Sequence, residues 1–312
     1  MKNIKAISSV YAYYYPEVRE VVDKVVKNFS QELLLKSIFP GLDNYHDSFI
    51  EKYIKYSHKY QKGLSEFSNK YFVNGSSEAI FHLLVDSIFH NDNKPIYVFK
   101  GEYEGYKEYA KNMGGAVTEV DFYSDIKNLP LGRWFISNPS AIDGNIIENS
   151  YIYSIANLGH EIVLDVSYLG STREYQFDLS HPNIIAVLVS LSKPFGLFYY
   201  RIGIVFTRKQ MPTLYPNKWF KNILSITIGE ALLDKFGIGH FYKKYLPFQK
   251  KAIENLNKET GVTINPSDIL LLANQVSKSV SQNKKELLSK FQRGENYRSC
   301  LTPYFLELEK NQ

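Results

Sequence analysis

From Tyr71 to Phe206 the chain alternates short apolar runs with longer stretches whose apolar residues recur at helical spacing. The runs are Tyr71–Val73, Pro95–Phe99, Val117–Phe122, Arg133–Ser137, Glu161–Asp165, Ile184–Val189 and Ile202–Phe206. A run of five or six residues is a strand's length, and strands alternating with helices build a mostly parallel sheet covered by helices on both faces. The fold class that follows is α/β, with a seven-stranded sheet. Side chains just beyond the carboxyl ends of such strands meet in one crevice.

One of those ends holds a lone lysine. Lys193 lies between Ile184–Val189 and Ile202–Phe206, within Ser190–Leu191–Ser192–Lys193–Pro194–Phe195–Gly196. An ammonium between two buried flanks loses hydration and its pKa falls, which leaves an amine able to form a Schiff base with an aldehyde. Ser190, Ser192 and, eight residues on, Arg201 offer hydroxyls and a cation for a phosphate. Read alone, the stretch is equally a surface turn with one lysine. A second turn, Gly75–Ser76–Ser77, precedes a helical pattern at Ala79, Ile80, Leu83, Leu84 and Ile88. Glycine there opens left-handed backbone, a serine caps the helix, and the free N–H groups form an anion site. Serine caps without any ligand are common.

Glu161–Asp165 ends in a carboxylate that would point into the crevice, although a strand-end aspartate is often a turn or helix cap. The helical patterns predicted elsewhere are Val18–Phe29, Asp47–Phe67, Trp219–Leu233, Gly239–Leu256 and Lys284–Phe291. Gly261–Ile264, Ile269–Ala273 and Tyr304–Leu308 read as short strands. The domain division that follows is an N-terminal arm with part of the small domain over 1–45, a large domain over 46–235 and a small α+β domain over 236–312.

The 37 basic and 32 acidic residues are scattered, and the net charge of +5 gives no support for a nucleic-acid role. The single cysteine, Cys300, excludes an internal disulfide and a cysteine-based metal site. No metal is expected. Met1–Val10 lacks the apolar core of a signal peptide, and no run approaches the ~18 apolar residues of a membrane span. The expectation is a soluble, cytoplasmic protein.

Ser190–Gly203 resembles the lysine motif of class I/II aminotransferases, the fold-type I pyridoxal-phosphate enzymes, in S-x-S-K-x-x-G-x-x-x-x-R-x-G. The resemblance implies pyridoxal 5'-phosphate as cofactor, with Lys193 as its Schiff-base lysine and Ser190 and Arg201 on its phosphate. Ser192 joins that set or only orients the turn. Gly75–Ile80 is similar to the family's phosphate turn, which adds Gly75, Ser76 and Ser77; Ser77 stands where relatives often carry Asp or Thr. Gly101–Ala110 resembles the family's P-x-Y-x-x-Y-x-x-Y-A segment, so Tyr103 would stack on the ring, with Tyr106 and Tyr109 packing a helix face. Asp165–Tyr168 resembles D-E-A-Y: Asp165 would face the ring nitrogen and Tyr168 the ring hydroxyl.

Asn138–Gly144 is similar to N-P-x-N-P-x-G but departs in the middle. Aligned on Gly144, the asparagine expected on the ring hydroxyl falls at Ala141; aligned on the next strand it is Asn138, the reading we favour. The family's C-terminal arginine for the substrate carboxylate has no counterpart on Tyr304–Leu308. Arg293 and Arg298 are the nearest candidates, and Glu307 would suit a cationic group. The implied activity is transamination of an amino acid, with a 2-oxo acid as acceptor, in a homodimer. The same apparatus serves carbon–sulfur elimination or decarboxylation. The Asp143–Gly144 variant is similar to an alliinase-like branch, and the short tail would also suit a homologue that binds the cofactor without catalysis.

Overall fold

The computed structural model describes residues 4–38, 44–91 and 94–311. Parts of the predicted arm, residues 1–3 and 39–43, lie outside the described residues. The seven predicted runs form one sheet: β1 (Asn69–Val73), β2 (Ile96–Phe99), β3 (Val117–Val120), β4 (Arg133–Ser137), β5 (Glu161–Asp165), β6 (Ile184–Ser190) and β7 (Gly203–Thr207). Their spatial order is β1-β7-β6-β5-β4-β2-β3. Only β7 runs against its neighbours, β1 and β6; the remaining pairs are parallel.

The strands are buried on both faces, as parallel strands flanked by helices must be. Alternate residues feed two separate apolar layers. Trp134, Ile136, Ile162 and Leu164 face one; Phe135, Val163, Ala186 and Leu188 face the other. Helices α1 (Pro16–Lys27), α2 (Asp47–Ser57), α5 (Asn149–Asn157) and α6 (Ile223–Lys235) bury their apolar stripes in the first layer. Helices α3 (Ser76–Phe89) and α4 (Glu104–Asn112) close the second. Helix α2 ends ten residues earlier than the pattern to Phe67 predicted. Residues Gln61–Lys62 pair with Phe177–Asp178 instead, and Gly63 turns at φ +83°, where a Cβ would sit 2.8 Å from Ser180 N.

After α6 the long α7 (His240–Thr260) leads to an antiparallel sheet of Asn265–Pro266, β8 (Leu272–Val276), β9 (Asn296–Cys300) and Gln292–Arg293. Helix α8 (Gln282–Leu288) links β8 to this hairpin. The chain's last element corrects the sequence reading. Residues Tyr304–Leu308 belong to a helix, α9 (Thr302–Lys310), not a strand. Pro303 occupies its first turn, where a missing N–H costs nothing. Leu301, Tyr304 and Phe305 are buried while Leu306 is exposed, a helical rather than a two-residue period. The strand expected near the terminus is β9, one element earlier.

Candidate active site

A cavity of about 690 Å³ opens at the carboxyl edge of the large sheet, with walls from the β1, β2, β4, β5 and β6 ends and from β9. The predicted residues Ser76, Ser77, Tyr103, Asp165, Tyr168, Ser190, Ser192, Lys193 and Arg201 all line it. Arg293, Arg298, Ala141, Ser137 and Ser167 line it too.

Lys193 reaches the cavity from the turn after β6. Its Nζ donates to the backbone carbonyl of Val10 at 2.7 Å and lies 5.5 Å from the centre of the Phe198 ring. Burial pushes its pKa down from 10.5 to about 8, and the nearby Arg298 and Arg201 guanidinium groups add to this. No carboxylate is paired with it.

Arg201 holds the other end. It has left-handed backbone, φ 48°, and its Nη2 donates to Ser77 Oγ at 2.6 Å. Gly75 leads into α3 at φ +84°, and a Cβ there would stand 2.7 Å from Arg201 Nη2. A side chain at residue 75 would therefore collide with the guanidinium, so the glycine makes the cradle possible. Ser190 Oγ accepts from the Ser192 N–H at 3.1 Å, whereas Ser192 Oγ is buried with no partner.

On the opposite wall Asp165 is 8% exposed. Its Oδ1 accepts from the Ser167 N–H at 2.8 Å and its Oδ2 from the Tyr106 hydroxyl at 3.2 Å. Burial raises its pKa, against the opposing effect of the Ser167 and Tyr106 hydrogen bonds. Tyr106 thus does more than pack a helix face: it steers the carboxylate, a contact between α4 and β5 that no local pattern signals. Tyr103 precedes α4 with its ring over Gly105, where a Cβ would come within 2.2 Å of the ring. Burial raises the Tyr168 phenol, which is therefore a hydrogen-bond donor at neutral pH.

Two sequence readings need correction. Asn138 does not line the cavity: its amide nitrogen donates to Ile147 O and its amide oxygen accepts from Ile147 N, both at 2.9 Å, so the side chain is consumed in closing its own loop. Ala141 occupies the lining position. Glu307 lies on the outer face of α9, paired with Lys5 at 2.6 Å and remote from the cavity. Arg298, one of the two candidate arginines, stands on β9, the strand just before the helix that replaces the expected Tyr304–Leu308 strand. It is 6% exposed, and its two terminal nitrogens donate to the carbonyls of Ala141 and Ser8. Its Nε has no partner. Arg293 at the mouth is neutralised by Glu104.

Among the described residues the cavity thus holds Lys193, Arg201 and Arg298 without carboxylate partners, and Asp165 without a cation. That donor set fits pyridoxal phosphate: an amine for its aldehyde, a guanidinium, serine hydroxyls and a helix N-terminus for its phosphate, and a carboxylate for its ring nitrogen. The orphaned Ser192 hydroxyl and the cradle at Gly75 fit the phosphate in the same way. No group of three or more His, Cys, Asp or Glu that could hold a metal occurs among the described residues. Nor is any of their helices long and apolar enough to cross a membrane.

No protein of curated function matches the chain by sequence. Solved structures do match its fold. L-threonine-O-3-phosphate decarboxylase from Porphyromonas gingivalis is 16% identical, with a TM-score of 0.64 over 98% of this chain and 99% of that one. Histidinol-phosphate aminotransferase from Sinorhizobium meliloti, in complex with pyridoxal-5'-phosphate, is 12% identical, with a TM-score of 0.65 over 98% and 89%. A PLP-bound C-S lyase from Staphylococcus hominis is 13% identical, with a TM-score of 0.66 over 98% and 90%. The family model for aminotransferase class I and II matches residues 9–235. With the sheet order, the lysine turn and the arginine cradle in place, the chain belongs to the class I and II aminotransferase family, whose members are pyridoxal-phosphate enzymes.

Proposed function

We propose that the protein transfers the amino group of an amino acid to a 2-oxo acid, using pyridoxal phosphate held in this cavity. The observation that carries the reading is a desolvated lysine amine sharing one cavity with a buried carboxylate that has no cation partner, and with Arg201 and Arg298, which have no carboxylate partner among the described residues. Bound there, the cofactor supplies a protonated pyridine ring that accepts the electron pair of a breaking Cα bond. Lys193 would hold the cofactor through its aldehyde, and its Nζ, when free, would accept and return the substrate's Cα proton; burial, which lowers its pKa to about 8, suits it to both tasks near neutral pH. Asp165 holds the ring nitrogen protonated. Tyr168 donates to the ring oxygen and Tyr103 covers one ring face. Ser76, Ser77, Ser190, Ser192 and Arg201 grip the phosphate.

Arg298 takes the substrate carboxylate with its planar fork. An arginine that holds the substrate carboxylate would keep that group from leaving, which favours transamination over decarboxylation. The same reading divides the chain at residues 46 and 236, since the cavity's walls come mainly from the large sheet while Arg298 comes from the small one. It also favours a homodimer: Tyr199 is 88% exposed and Phe220 69%, on the two segments that flank β7. A cytoplasmic location is part of the proposal.

The test is borohydride reduction of the protein saturated with pyridoxal phosphate, followed by peptide mapping and a screen of amino acids by the absorption of the bound cofactor. An adduct on Lys193, and conversion to the aminated cofactor with release of the matching 2-oxo acid and no ammonia or carbon dioxide, are expected. Pyruvate and ammonia would indicate elimination and carbon dioxide decarboxylation. No adduct at Lys193 would overturn the reading.

A further inference from the structure

One side of the cavity is closed by a stretch of N-terminal chain that the cavity's own cations hold in place. Ser9, Val10 and Tyr11 line the cavity from that stretch. The chain is pinned on either side of them. Before them Ala6 is fully buried and the Lys5 N–H donates to Glu259 at 3.1 Å. After them Tyr13 and Tyr15 are fully buried, and the Tyr13 hydroxyl donates to Glu309 at 2.6 Å. Between these anchors Ile7 makes two backbone bonds to Cys300 of β9. The Ile7 N–H donates to Cys300 O at 3.4 Å, and the Cys300 N–H to Ile7 O at 2.8 Å. Beyond Ile7 the carbonyls are met by side chains. Arg298 donates to Ser8 O at 3.0 Å, Lys193 to Val10 O at 2.7 Å, and Thr302 Oγ1 to Tyr11 O at 2.6 Å.

Two of these donors are groups that ligands need: Lys193 is the amine for an aldehyde and Arg298 the guanidinium for a carboxylate. A bond from an ionised donor is stronger than a neutral one, so Lys193 is a firm hold on Val10 while it is free. Condensation with an aldehyde removes that hold. One C=N bond forms and one water leaves; the water's oxygen comes from the aldehyde and its two hydrogens from the nitrogen. No electrons are gained or lost overall. Of the three N–H groups of the ammonium, at most one remains, and it is fixed in the plane of the new double bond.

We propose that residues 7–11 form a strap that the free Lys193 amine holds down over the cavity, and that attachment of this amine to an aldehyde releases the strap. Which aldehyde arrives rests on the pyridoxal-phosphate reading; the hold itself belongs to the empty protein. Release is confined to these residues because both ends are anchored. It also draws Ser8 O away from Arg298, whose Nε is already without a partner. The guanidinium is thereby uncovered for a carboxylate once the amine is engaged, so attachment of the aldehyde precedes substrate capture.

The experiment is hydrogen exchange read at the Ile7 and Cys300 amides. It compares the empty protein with the protein saturated with pyridoxal 5'-phosphate or with pyridoxamine 5'-phosphate, beside Lys193→Met and Lys193→Gln without ligand. The two ligands share a ring and a phosphate, but only the first carries an aldehyde. Pyridoxal phosphate and both variants should speed exchange at the two amides by about tenfold or more, as loss of one charge-assisted bond allows. Pyridoxamine phosphate should leave both amides as slow as in the empty protein. Equal rates with the two ligands would overturn the proposal, as would unmoved rates in the variants. The ligand comparison uses the unmodified chain, so it stands whether or not a variant folds. Borohydride reduction of the same samples separates the two readings. No adduct on Lys193 would overturn the functional reading, and the two variants would then decide on the strap.

Discussion

Replacing Gly75 by alanine separates the two tasks this residue performs. Its backbone sits at φ 84°, ψ 175°, a region essentially restricted to glycine. Holding an alanine there costs on the order of 1–3 kcal/mol, a loss the folded protein suffers with or without ligand. At roughly 2–4 °C per kcal/mol, the melting temperature should fall by about 2–12 °C. The new methyl carbon would also stand 2.7 Å from Arg201 Nη2 and 3.0 Å from its Cζ. The guanidinium must retreat, which breaks its bond to Ser77 and removes it from the phosphate position. Loss of one charge-assisted contact is worth about 1.5–3 kcal/mol, so the dissociation constant for pyridoxal phosphate should rise roughly 10- to 150-fold. Gly114→Ala is the control. It too has left-handed backbone, φ +78°, but nothing lies within 4 Å of its Cβ position. Thermal melting without ligand and cofactor titration of both variants decide the matter. Gly114→Ala should lose stability alone. If Gly75→Ala binds the cofactor as tightly as Gly114→Ala does, the cradle argument fails.

Arg298→Lys keeps the charge but loses the fork that donates to the Ala141 and Ser8 carbonyls, so the KM for the amino acid should rise at least about tenfold while cofactor affinity stays put; steady-state kinetics beside cofactor titration tests this. Lys193 titrates at about 8 in the folded chain against 10.5 unfolded. The penalty of its buried ammonium is fully present below pH 8, on the order of 3 kcal/mol, and is relieved as the pH rises toward 10.5. Urea unfolding at pH 7 and 9.5, without cofactor, should show this gain in the unmodified protein and not in Lys193→Met. His46, stacked on Phe72, is held neutral by burial with its pKa lowered to about 4, so stability present above pH 6.5 should fall away between 6.5 and 4, and His46→Gln should flatten that slope in acid unfolding curves. Glu307→Gln should leave substrate affinity unchanged in the same kinetic assay and alter stability by no more than about 0.5 kcal/mol, since its partner Lys5 is exposed.

The large sheet was legible because each strand is a short apolar run closed by a residue with turn chemistry. The Lys193 and Gly75 turns were legible for the same reason: glycine, serine and a lone cation at strand ends are local signals. What escaped the sequence depends on contacts between distant segments. Asn138 carries the right chemical group, but Ile147, nine residues on, absorbs both its donor and its acceptor. Tyr304 and Phe305 favour strands by type, yet the proline before them and the buried–buried–exposed order to Leu306 decide for a helix. Misplacing that element left Arg298 undistinguished from Arg293, although its strand lies just before the helix. Glu102 gives no local hint of burial, because a carboxylate on a glycine-containing turn is ordinarily solvated; here the Ser140 hydroxyl and the Tyr103 N–H replace part of that hydration.

The charge inventory explains why these residues belong together. Arg293 and Glu104 cancel at the mouth, leaving three cations inside against Asp165. An unpaired guanidinium buried like Arg298 lowers the stability of the empty protein, because its hydration is lost and only two carbonyls replace it. A ligand that brings a phosphate and a basic ring nitrogen satisfies Arg201 and Asp165 at once, and a second ligand with a carboxylate satisfies Arg298. Each ligand therefore adds its binding free energy to folding, about 2.7 kcal/mol at a hundred times its dissociation constant. The N-terminal segment ties the two steps together: Val10 O holds the Lys193 amine while Ser8 O holds Arg298. Two carbonyls, two residues apart on one segment, thus brace the amine proposed for the cofactor and the guanidinium proposed for the substrate, so binding at either is expected to be felt by the same stretch of backbone.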